Sequence, residues 1–138
     1  MSTRFLSAFI AIGALMAVGI APLRAHHSFA AEFDANKPVT LKGVVTQIDW
    51  SNPHVWFYIN VKDEDGKNVR WACEMGAPHQ LQQRGWLRET MKVGDVVTVA
   101  GSLARDGSKR ANARLVTTAD GKTLGAASSG DPATTRQQ

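Results

Sequence analysis

The sequence predicts an all-β domain with one short helix, and three observations carry that prediction. Strict alternation runs from His54 to Val61, setting Val55, Phe57, Ile59 and Val61 against His54, Trp56, Tyr58 and Asn60. Two Asp-Gly turns, Asp65-Gly66 and Asp106-Gly107, separate runs that carry strand formers. A single helix signal, Pro78 at its start and Gly85 just past its end, falls between two of those runs.

The elements follow in order. A polar arm, residues 26–38, leads into a first strand marked by Val39, Leu41, Val44 or Val45, and Ile48, with a bulge or bend expected at Gly43. Ser51-Asn52-Pro53 is turn chemistry, because Pro presets φ and Asn can bond the backbone. The alternating run His54–Val61 is the second strand, and the turn 63–67 returns the chain as a third, Val69–Met75, with Val69, Trp71, Cys73 and Met75 on one face. A helix over His79–Arg84 comes next, then a helical turn over Leu87–Met91. Val93-Gly94-Asp95 turns into the fourth strand, Val96–Leu103, and Ala111–Thr118 is the fifth. Three strands, a helix and two strands, with a long first strand bent at glycine, form the pattern of a five-stranded OB-fold-like barrel over residues 39–124. Closure would remove exposed sheet edges; a small open sandwich or an α+β sheet is the alternative.

Composition narrows the function. A chain of 138 residues accommodates one ordinary domain, and 43% hydrophobic residues can build its core. It is too short for separate cofactor and substrate domains. One cysteine excludes an internal disulfide and any zinc site that needs two thiolates. Arg4, the apolar run Phe5–Ile20 and the small-residue exit at Ala25 read as a cleaved signal peptide over residues 1–25, so the protein is expected in the periplasm or outside the cell. The run is short for a membrane span, which needs about 20 residues. Arg4 and Arg24 leave with the signal, so the mature chain is only mildly basic, and no nucleic-acid partner is expected. From residue 125 to 138 small and polar residues predict a disordered tail.

Five stretches carry a family resemblance: His26-His27-Ser28-Phe29-Ala30-Ala31-Glu32-Phe33-Asp34, Trp50-Ser51-Asn52-Pro53-His54, Glu74-Met75-Gly76-Ala77-Pro78, Arg84-Gly85-Trp86 and Lys92-Val93-Gly94-Asp95. Together they resemble a family of short exported bacterial proteins, domain of unknown function six-one-five-two, from about His26 to Leu124. The resemblance implies an exported single domain and supplies no activity.

The residues themselves suggest binding chemistry. Cleavage after Ala25 would make His26 the N-terminus, joining an α-amine and an imidazole on one residue, two nitrogens able to chelate one metal. A third nitrogen, from His54 first, with His79 or His27 in support, would complete a histidine brace, and nitrogen donors in tetragonal array suit Cu(II). Amine and imidazole lose their protons near about 8 and 6.5, so metal competes well at neutral pH. The competing reading makes His26-His27 an exposed polar arm and His54 a turn-stabilising side chain. Cleavage before Ala25 would give Ala25-His26-His27, which binds Cu(II) or Ni(II) through backbone nitrogens.

A second candidate is aromatic. Trp56 and Tyr58 share one face of the second strand and would form a stacking platform for a ring-bearing ligand unless Phe29 and Phe33 of the arm cover it. Cys73 and Met75 fall on the core face and read as packing. Glu32/Asp34 and Asp63/Glu64/Asp65 lack a matched acid, base and pocket, and no nucleophile motif appears, so no enzyme is expected. The expected partner is a metal ion or small ligand, with a protein partner possible.

Overall fold

The structure, a computed structural model, describes residues 28–132. The elements are a helical turn α1 (Phe29–Glu32), β1 (Phe33–Asp49), β2 (Trp56–Lys62), β3 (Asn68–Glu74), helix α2 (Pro78–Gln83), β4 (Val96–Ala104), β5 (Arg110–Thr117) and β6 (Thr123–Gly125). The chain is all-β with a short helix between β3 and β4, as expected from the sequence. Strands run in the order β3-β2-β1-β4-β5-β6, and β3 also pairs with β5. That extra pairing is parallel and short, Ala72 with Arg110, Cys73 with Ala111 and Glu74 with Asn112. It joins β1, β2, β3, β5 and β4 into a ring, the OB-like connectivity.

β1 can pair on both sides because it is long and bent. Its register against β2 slips between Val45 and Gln47, which makes Thr46 the extra residue; the Thr46 hydroxyl donates to the Tyr58 carbonyl at 3.2 Å. The bulge thus lies three residues beyond Gly43. Gly43 serves close approach instead: a Cβ there would sit 2.5 Å from the Asn60 carbonyl oxygen. A second slip, between Ala100 and Gly101 of β4, leaves Arg114 of β5 unpaired in the ladder, and its carbonyl accepts from the Ala126 N–H.

The alternation read in β2 is realised: Val55, Phe57 and Ile59 are fully buried while Trp56 and Tyr58 are not. With Val45, Cys73, Met75, Val97, Val99 and Val116 they fill the ring. Burial pushes the Cys73 thiol up to about 12 and makes it an inert hydrophobe, as its position on the core face suggested. Leu81 of α2 and Trp86 behind it are also fully buried and close one end, with the Trp86 indole N–H donating to the Gly125 carbonyl at 2.8 Å.

A sixth strand, β6, joins the five expected, and three further expectations differ. Residues 33–38 of the arm are strand: Phe33 is buried and pairs with Ala104. Leu87–Met91 is a turn, where the Thr90 hydroxyl accepts from the Leu87 N–H at 2.8 Å; that side-chain bond competes with helix formation. Residues 125–131, assigned to a disordered tail, are packed against the ring, with Ala126, Ala127, Ser128 and Asp131 buried. Their anchors are polar, which hydrophobic patterning does not register: Arg84 donates to the Ala127 carbonyl at 2.6 Å, and Asp131 pairs with Arg114 at 3.2 Å.

Candidate functional site

The outer face of the ring carries a row fixed by register. Trp56 of β2 stands beside Glu74 of β3, Glu74 beside Asn112 of β5, and Asn112 beside Ser102 of β4. Paired residues point to the same side of a sheet, and the side opposite Cys73 and Ala111 is the outer one. Two segments cover the row. From the N-terminal side, Phe29 and Phe33 stack with ring centroids 5.8 Å apart and pack on Trp56. From the C-terminal side, residues 128–131 lie close against α1, where a Cβ on Gly130 would meet the Phe29 Cβ at 2.9 Å.

Between these covers lies a cleft of about 470 Å³. Ser28, Phe29, Glu32 and Phe33 form one wall, Pro53 and His54 a second, Ala77, His79 and Gln80 at the start of α2 a third, and residues 128–130 a fourth; Glu74 lies among them. His54 and His79, singled out in the sequence as third ligands, are therefore brought to one cleft. His26 and His27 lie outside the described residues. Among the described residues no group of three or more His, Cys, Asp or Glu side chains could hold a metal ion.

His54 is held by Glu74. The ring Nδ1 and a Glu74 carboxylate oxygen form an ion pair, with the Glu74 side chain 8% exposed and that of His54 29%. The hydrogen bond that the His54 ring donates to Glu74 raises the His54 pKa above its ordinary value; partial burial opposes it, and the charges of Glu74 and Glu32 add to it. The carboxylate fixes the proton on Nδ1, so when the ring is neutral Nε2 is the nitrogen with a free lone pair. Glu32 itself pairs with Arg110 at 3.2 Å, and Asp34 lies 3.7 Å from Arg105, so neither acidic residue of the arm is a lone carboxylate.

Glu74 was missed in the sequence, although a signal was present. Alternation along Cys73-Glu74-Met75 puts Glu74 on the face opposite the core, the same face as Trp56 and near His54. What could not be read was its burial beneath the two terminal segments.

The aromatic pair is not an open platform. Trp56 lies under the arm, as the covering alternative held, and the Arg70 guanidinium sits 4.4 Å over the Tyr58 ring. Arg70 is fixed there by its bond to Gln47 Oε1 at 2.8 Å.

Fold and cleft together define a class: a β-ring protein with a cleft outside the ring, between its two terminal segments. The chain belongs to the family of unknown function DUF6152, whose family model matches residues 14–113. No curated protein matches the chain. Among the described residues no helix is long and apolar enough to cross a membrane.

Proposed function

We propose that this is an exported binding protein whose cleft takes a Cu(II) ion, with His26 and His54 as ligands and His27 or His79 in support. The observation that carries the reading is His54 itself, its Nδ1 engaged by a buried carboxylate in a cleft whose wall includes Ser28. Metal-bound histidines characteristically give their second ring nitrogen to a carboxylate, which orients the ring and raises its basicity. His26 precedes Ser28 by two residues in the sequence, and two residues of chain span at most about 7 Å, a separation compatible with ligands drawn from residue 26. Two nitrogens from residue 26 and Nε2 of His54 make the three-nitrogen set that suits Cu(II).

Export follows from the signal-like segment 1–25. Binding rather than catalysis is the reading because the sequence carries no recognisable nucleophile motif. The reading is tested by Cu(II) titration of the mature protein. His26→Ala, His54→Ala and acetylation of the α-amine should each weaken binding at least tenfold. Unchanged affinity in all three would overturn it. Binding that needs the amine but not His54 would point to a backbone-nitrogen complex at the terminus.

A further inference from the structure

Two arginines at the ends of the turn between β4 and β5 fasten α1 to the ring. Before the turn, the Arg105 backbone N–H donates to the Glu32 carbonyl at 2.9 Å and its Nε to the Ala30 carbonyl at 2.8 Å. After the turn, Arg110 Nη1 donates to Glu32 Oε2 at 3.2 Å. The turn itself aims Arg110: Nη2 is bonded to Asp106 at 2.9 Å and Nε to Ser108 at 3.0 Å. A guanidinium fixed on its other edges gives up little further freedom when it grips Glu32.

These bonds matter because the arm has little ladder to hold it. β1 pairs with β4 at Phe33 and, among the described residues, not again until Pro38. Yet Ser28, Phe29, Glu32 and Phe33 build one wall of the cleft, and the charge of Glu32 is felt by His54. α1 is a single turn of four residues, with the Ala31 N–H bonded to the Ser28 carbonyl at 2.9 Å, so a hold on Glu32 is also a hold on Ser28. The Arg110 and Glu32 side chains are 33% and 26% exposed, and an ion pair so near water adds little to stability. Its effect lies in where it puts the wall.

We infer that Arg110 is a positioning residue for the copper site, holding Glu32 so that α1 directs the chain preceding Ser28 toward His54, with Arg105 as the second clamp. The inference rests on the copper reading above. Charge and position act in opposite directions here, which makes the role measurable. Arg110 is a cation beside a site for a cation, so removing its charge alone would tighten Cu(II) binding. Releasing the wall would weaken it.

The test compares Arg110→Gln, Arg110→Lys and His54→Ala with the unmodified mature protein. Arg110→Gln should weaken Cu(II) binding about tenfold, the low end of the loss seen when a group that orients metal ligands is removed. Arg110→Lys, which keeps a cation for Glu32, should recover most of that loss. In the metal-free protein, Arg110→Gln should speed hydrogen exchange of the Arg105 N–H, which is bonded to the Glu32 carbonyl, and leave the denaturant midpoint close to that of the unmodified protein. Tighter or unchanged copper binding in Arg110→Gln, while His54→Ala still weakens it, overturns the inference and spares the copper reading. No effect of His54→Ala removes both. Weaker binding with unchanged Arg105 exchange, or with a broadly lowered midpoint, also overturns the positioning role.

Discussion

Replacing Glu74 by glutamine separates what the carboxylate does for the fold from what it does for the histidine. Glutamine keeps the shape and an acceptor for the His54 Nδ1 proton but removes the charge. A hydrogen bond between charged partners is worth about 1.5–3 kcal/mol and one between neutral partners about 0.5–1.5, so the charge contributes on the order of 1 kcal/mol. Because His54 has its pKa raised in the folded state, that contribution is complete below the ordinary imidazole value near 6.5 and is lost as pH rises through the raised value. Above it the neutral ring no longer balances a carboxylate that is 8% exposed, and glutamine there should be neutral or stabilising. Denaturant midpoints at pH 6 and pH 9 should therefore show a loss of about 1 kcal/mol at the first and none at the second, with the His54 ring resonances titrating at lower pH in the variant. Removing an outer-shell carboxylate typically costs 10–100-fold in metal affinity, so Cu(II) binding by Glu74→Gln should weaken by that factor. Equal destabilisation at both pH values, together with unchanged copper affinity, would refute the role assigned to Glu74.

Further outcomes follow from the same geometry. Copper affinity of the unmodified protein should rise with pH through the raised His54 value, because the metal displaces the proton on Nε2; a flat profile from pH 5.5 to 8 would count against His54 as a ligand. Gly101→Ala should destabilise by about 2 kcal/mol or more in chemical denaturation, since its Cβ would fall 2.0 Å from the Asn112 carbonyl oxygen, a backbone atom that cannot step aside. Asp131→Ala should cost about 1–2 kcal/mol and raise hydrogen exchange selectively over residues 126–131, because it removes the buried partner of Arg114. Cys73 should resist alkylation by iodoacetamide at pH 8 in the folded protein and react on unfolding, given full burial and a thiol pushed up to about 12.

The ring was legible because its strands obey local rules. Alternation in β2, the Asp-Gly turns and the Pro78–Gly85 bracket around α2 are signals within a few residues of one another, and each reappears in the structure. The element order pointed to an OB-like barrel, while the short parallel pairing of β3 with β5 that closes the ring was not read from the sequence. The misread pieces are those whose conformation is decided at long range. Residues 125–131 look structureless because Ala126, Ala127 and Ser128 are too small to announce a core, yet Arg84, Arg114 and Trp86 bind that segment from 17 to 43 residues away. Phe33 could be read as part of an arm until Ala104 and Trp56 receive it.

The site was half legible for the same reason. His54 and His79 stand out by residue type, and the structure brings them to one cleft. Glu74 and Asn112 do not stand out, since a carboxylate and an amide in strands normally face water. Only the register that lines them up, and the terminal segments that cover them, turn them into a buried polar floor.

The central claim is that His54 completes a chelate begun at the terminus. Electron paramagnetic resonance of the Cu(II)-loaded mature protein, compared with His54→Ala, tests it directly. The account predicts nitrogen hyperfine structure from a three-nitrogen set that loses one coupling and shifts its parallel hyperfine splitting in the variant. Superimposable spectra would contradict it.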